Sequence, residues 1–215
     1  MTRVGFGSLG LSAALVFSVA PRAAELTVRV TDARGHPAAD AVVSLVAPTP
    51  EGAARAPAQK VIDQKDETFI PYVEVFRPGD QVVFRNSDTT RHHVYSFSPT
   101  RSFEFVLRPT ESSQPLTLEK PGVVAVGCNI HDRMITYLYV TDARWVARTG
   151  RDGLAHFSDL PGGSYAVQAW HPQLPPGKTA AEQRVTLGGA NKELGFSFAL
   201  LPDPREPLDR EKSRY

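Results

Sequence analysis

The sequence is poor in sulfur, balanced in charge and without any long apolar run. Of 215 residues one is cysteine, Cys128, and two are methionine. A single cysteine excludes an intramolecular disulfide and any site built from several thiolates of one chain. Lys and Arg total 24 against 23 Asp and Glu, a formal net charge of +1, so the basic surplus of a nucleic-acid binder is missing. No stretch reaches the roughly 20 consecutive apolar residues of a membrane-spanning helix. No amphipathic helical repeat of useful length is present. No Ser–His–Asp arrangement, phosphate-binding loop or carboxylate pair suited to acid–base catalysis is legible either, so nothing points to an enzyme.

What is present is ordinary globular composition, 41% hydrophobic and 22% charged, with 16 Gly and 18 Pro punctuating many turns. Residues 1–24 read as a secretory signal. Arg3 supplies the positive start, an apolar run covers 9–20, and small residues (Ser18, Ala20, Ala23, Ala24) end it. The mature chain is therefore expected in the periplasm. Removing Arg3 and Arg22 lowers the basic count from 24 to 22, against an unchanged 23 acidic residues. An unpaired thiol outside the cytoplasm is an oxidation hazard, so Cys128 calls for a reason.

Alternation of apolar and polar residues predicts a strand over 26–32, and segments bounded by turn residues predict further strands over 41–46, 72–76, 81–85, 93–97, 103–107, 123–127, 135–140, 155–157, 164–170, 183–187 and 193–200. An Ala-, Pro- and Gly-rich stretch over 47–59 reads as a long surface loop. The charged segment from Pro202 to the end reads as a mobile tail. Short, evenly punctuated strands predict an all-β protein of two Greek-key-type sandwiches.

The chemistry concentrates in Gly127-Cys128-Asn129-Ile130-His131-Asp132-Arg133-Met134. The only cysteine, the one methionine outside the leader and a histidine fall in seven residues, between two predicted strands. Thiolate, imidazole and thioether form a soft donor set that suits copper, and a His₂Cys plane with a weak axial Met is the blue-copper arrangement. Zinc would want N, O or thiolate in place of the thioether. The second imidazole comes from Asn86-Ser-Asp-Thr-Thr-Arg91-His92-His93-Val94, through His92 or His93. Trp145 and Trp170 read as packing residues, and His36, His156 and His171 as side chains beside turns.

The segment Phe69-Ile-Pro-Tyr-Val-Glu-Val-Phe-Arg-Pro-Gly-Asp-Gln-Val-Val-Phe-Arg-Asn86, with His92-His93-Val94 and Cys128-x-x-His131-x-x-Met134, resembles a cupredoxin, and its short ligand loop is most like that of amicyanin. The resemblance implies one type 1 copper per chain held by His92, Cys128, His131 and Met134. It departs from the family in His93, where Asn is usual, and in Ile130, where Pro is common. The flanks 25–62 and 142–201, with Asp152-Gly153 and Leu160-Pro161-Gly162-Gly163-Ser164-Tyr165, resemble the carboxypeptidase regulatory-like module, a transthyretin-like sandwich. The expected organisation is a cupredoxin over 63–141 inserted into that sandwich, with a tail over 202–215. The whole arrangement resembles exported plastocyanin-like proteins labelled methylamine utilization proteins. The implied function is single-electron transport between exported redox proteins, such as a c-type cytochrome or a dehydrogenase. The rival readings are copper capture and delivery, or a scaffold or adhesion role with an inactive copper site.

Overall fold

A computed structural model describes residues 24–47 and 55–206. The expected leader, except its last residue, and the end of the chain from 207 lie outside them. Sixteen strands follow one another: β1 (Ala24–Asp32), β2 (Val42–Val46), β3 (Gln59–Lys65), β4 (Thr68–Ile70), β5 (Val73–Phe76), β6 (Gln81–Asn86), β7 (His92–Ser98), β8 (Arg101–Leu107), β9 (Leu116–Thr117), β10 (Gly122–Cys128), β11 (Ile135–Val140), β12 (Trp145–Arg148), β13 (Leu154–Leu160), β14 (Gly163–Trp170), β15 (Ala181–Leu187) and β16 (Lys192–Phe198). No helix occurs among the described residues, so none is long and apolar enough to cross a membrane. The protein is all-β.

The strands form four sheets around two main cores. One pair of sheets has the orders β13-β1-β16 and β12-β2-β14-β15. Alternate residues of these strands point inward, and Leu26, Val28, Leu45, Phe157, Val167, Leu187 and Phe196 share one buried cluster. The other pair has the orders β5-β11-β10-β7-β8 and β4-β3-β6-β9, and encloses Ile62, Phe69, Phe84, Val94, Val126, Cys128, Met134 and Leu138. The chain begins the first pair with β1 and β2, builds the second from β3 to β11, and returns for β12 to β16.

Four strands fall outside the sequence reading, β3, β4, β9 and β12. The loop expected over 47–59 ends where β3 begins, and β3 pairs in parallel with β6 upstream of residue 63. Its period was hidden because one inward position carries a polar residue: Ile62 and Gln64 are both fully buried, while Val61 faces out. The strand β12 was also missed. It pairs with β2 at a sheet edge, and the Trp145 ring packs edge-on to Tyr165 at 5.6 Å.

A third apolar cluster joins the two pairs. Val42 of β2 meets Tyr72 and Val73, and Trp170 lies 5.3 Å from Tyr139 and 5.7 Å from Tyr137 between ring centres. Arg148 donates to the Val73 carbonyl at 3.0 Å. Residues 202–206, the described part of the expected tail, lie along this junction, with the Arg205 guanidinium 3.4 Å from the centre of the Tyr72 ring.

Gly153 closes the turn before β13 with φ +71, and a Cβ there would stand 2.5 Å from the Val30 carbonyl. Only glycine fits both conditions. Tyr165 donates to the Pro161 carbonyl at 2.7 Å and ties down the β13–β14 connection.

Asp80 is the most deeply placed carboxylate of the second pair, with a side chain 1% exposed. It accepts hydrogen bonds from the backbone N–H groups of Ala58 and Arg77, both at 2.8 Å, and from Arg55. Burial opposes its charge, but these donors more than offset it and hold its carboxyl below the ordinary range. A depressed native value stabilises the fold fully above the unfolded carboxyl range of about 4, and the contribution is lost as pH falls through the native value. Asp80→Asn should therefore cost about 2 kcal/mol at neutral pH and show a flatter loss of stability on acidification. Urea midpoints of both proteins across the acid range check this, and parallel acid limbs would contradict it.

Candidate metal centre

Three donors converge at one end of the second sandwich. His92 Nδ1 and His131 Nδ1 each lie 3.7 Å from Cys128 Sγ, and the three donor atoms fall within 4.8 Å of one another. The two imidazole centres are 5.1 Å apart. Burial differs among them: the His92 and His131 side chains are 0% and 20% exposed, and Cys128 is 5% exposed as a residue.

Each donor has a local cause. Cys128 ends β10, where Val94 of β7 pairs with it. The Cys128 N–H donates to the Met134 carbonyl at 3.2 Å, and Met134 N–H donates to the His131 carbonyl at 3.0 Å, so residues 128–134 form a tight connection to β11. Asn129 N–H donates to the His93 carbonyl at 2.9 Å and holds that connection against β7. Met134 is 2% exposed and shares the buried cluster of Cys128.

The strand period separates the two adjacent histidines. His92 points into the core, and His93 points out, where its Nε2 lies 2.7 Å from Glu104 Oε1. Asn129 Nδ2 lies 3.4 Å from His93 Nδ1. The histidine brought to Cys128 is therefore His92. Its loop is tied by Asn86, which is 1% exposed, donates to the carbonyls of Thr90 and Leu107, and accepts from Asp88 N–H.

Asp88 was not singled out from the sequence, yet it orients His92. Its Oδ2 lies 2.8 Å from His92 Nε2, and its two oxygens accept from Asp66 N–H at 2.6 Å and Glu67 N–H at 3.1 Å. Burial works against this carboxylate, but the Glu67 N–H, His92 and Asp66 N–H bonds prevail and hold its carboxyl below the ordinary range. A carboxylate at Nε2 keeps the proton there and leaves the Nδ1 lone pair free toward Cys128. The one available signal was an acid four residues before the histidine.

The donor set fits a soft metal ion. Metal–nitrogen and metal–sulfur bonds of about 2.0–2.1 and 2.3 Å at a trigonal angle put N and S about 3.8 Å apart, against 3.7 Å here. Of the remaining histidines, His36 pairs with Asp32 and His156 lies beside Thr27. His171 is buried, with Nε2 donating to the Ala39 carbonyl and Nδ1 accepting from Gln173 N–H. Its desolvation disfavours the charged form.

No family model matches the chain, and no curated protein matches it. Solved structures do resemble part of it. A reduced mutant of amicyanin is 17% identical with a TM-score of 0.36, covering 46% of this chain and 99% of that one. A purple cupredoxin from Nitrosopumilus maritimus is 19% identical with a TM-score of 0.33, covering 39% and 99%. A copper-containing nitrite reductase from Thermus scotoductus SA-01 is 24% identical with a TM-score of 0.34, covering 45% of this chain and 25% of that one.

Proposed function

We propose that this chain is a periplasmic carrier of single electrons that binds one type 1 copper through His92, Cys128 and His131, with Met134 as the weak axial donor. In this reading residues 59–140 form a cupredoxin set into a transthyretin-like sandwich. The observation that carries it is the convergence of two imidazole Nδ1 atoms and one thiol in a largely buried site. Copper there would supply one-electron chemistry.

The residues have distinct tasks. The Cys128 thiolate and the two Nδ1 atoms would hold the metal. Asp88 fixes the His92 ring, and the surrounding core resists rearrangement between oxidation states. Four protein donors leave no open position for a substrate, which argues for a carrier and against catalytic turnover. His131 is the imidazole with an exposed edge, and Ile130, 43% exposed, stands beside it in sequence. Electrons then leave at this edge toward an exported redox partner, such as a c-type cytochrome or a dehydrogenase, with Asp132 and Arg133 orienting the encounter.

Voltammetry of the copper-loaded protein with a competing Cu(I) chelator tests the function. A reversible one-electron wave with metal retained over hours supports the carrier. Rapid transfer of Cu(I) to the chelator, with no stable Cu(II) form, would replace it with copper delivery.

A further inference from the structure

The turn between β3 and β4 carries strain that a hairpin does not require. Lys65 pairs with Thr68, so only Asp66 and Glu67 connect the strands, and both have φ of 52°. Two-residue connections with positive φ at both positions favour Asn-Gly or Asp-Gly, because a residue with a side chain pays about 1–2 kcal/mol in the left-handed region. Asp66 follows that preference. Glu67 stands where glycine would be relaxed.

The strain places a carboxylate. Glu67 Oε1 lies 3.5 Å from His131 Nε2, while Nδ1 of the same ring lies 3.7 Å from Cys128 Sγ. The N–H groups of the same two residues hold Asp88, which meets His92 Nε2. One short turn therefore approaches His131 directly and His92 through Asp88, although the two imidazoles come from different loops.

We infer that Glu67 is a positioning residue for His131, and that the strained turn is kept because it delivers this carboxylate. The contact is longer than a hydrogen bond, so the carboxylate acts through its charge, which favours the His131 proton on the nearer Nε2 and leaves Nδ1 free toward Cys128. The negative charge also favours the more positive oxidation state of a metal held there. Only this second effect rests on the copper-carrier reading; the first is a property of the metal-free chain. The Glu67 side chain is 63% exposed, so solvent screens much of its field and the charge effect is modest.

Two variants separate the charge from the strain of the turn. Glu67→Gly removes the charge and relaxes the turn, whereas Glu67→Gln removes the charge and keeps the strained residue. Nitrogen-15 NMR of metal-free protein at about pH 9, above the ordinary imidazole range, reads the His131 tautomer. The Nε2–H form should dominate in the parent, and its ratio to the other tautomer should fall at least about threefold in both variants. The glycine variant should also unfold at a higher temperature, which a carboxylate that merely stabilised the fold would not allow. In copper-loaded protein poised at one potential, both variants should raise the Cu(I):Cu(II) ratio about three- to tenfold. An unchanged tautomer ratio in Glu67→Gly overturns the inference whatever copper does. An unchanged oxidation ratio in both variants overturns the charge effect. A parent that takes up no copper overturns the carrier reading instead, and the tautomer measurement then decides the inference alone.

Discussion

Cys128→Ser should abolish the reversible one-electron wave and weaken copper binding by well over about a hundredfold, the upper end of the cost of losing a supporting residue. Cys128 is 5% exposed in the core of the second sandwich, and its thiol stands at the shared vertex of both 3.7 Å contacts. A serine oxygen is harder and sits on a shorter bond, so it supplies neither the polarisable donor nor its position. The fold should survive, because the exchange is nearly isosteric and burying the new hydroxyl costs about 1–3 kcal/mol. Voltammetry and a thermal melt on the same sample check both statements. A serine variant that keeps the wave would remove Cys128 from the centre.

The second large effect is expected at Asp88. Asp88→Ala leaves a fully buried imidazole Nε2 without its partner and frees the N–H groups of Asp66 and Glu67 at the β3–β4 turn. A buried donor without an acceptor costs about 1–3 kcal/mol, and water reaches the turn, so a loss of about 3 kcal/mol is expected. Copper affinity should fall about 10- to 100-fold, because the His92 ring loses the group that selects its tautomer. Asp88→Asn keeps an oxygen acceptor and should recover much of both. Urea unfolding of metal-free protein gives the first quantity, and chelator competition the second. Full stability and full affinity in the alanine variant would show that the His92 orientation comes from packing alone.

Much of the architecture was legible because its signals are local. Strand β1 alternates cleanly, β10 and β11 stand out as short apolar runs, and Gly-Asp, Asp-Gly and Pro-Gly pairs mark turns between strands. The proximity of Cys128 and His131 was legible because short chain spacing forces it. His92 required a long-range pairing, which the resemblance of residues 86–94 to a cupredoxin implied. Its choice over His93 is a matter of strand parity, settled once Val94 pairs with Cys128.

Other features have no local signature. Strand β3 escaped because Gln64 occupies an inward position and the residues around Val61 and Ile62 are polar or charged. Asp88 and Glu67 act across space, and their roles depend on one turn approaching two separate loops. The expected loop before Gln59 falls partly on residues 48–54, outside the described residues. The junction of Trp170 with Tyr137 and Tyr139 depends on how one sheet lies on another, which alternation within a strand does not encode.

The most direct test is the visible absorption and EPR spectrum of the mature protein with one equivalent of Cu(II). The account predicts an intense sulfur-to-copper charge-transfer band together with narrow copper hyperfine splitting. A colourless protein, or a copper signal with wide hyperfine splitting and no such band, would contradict the type 1 centre and with it the electron-carrier function.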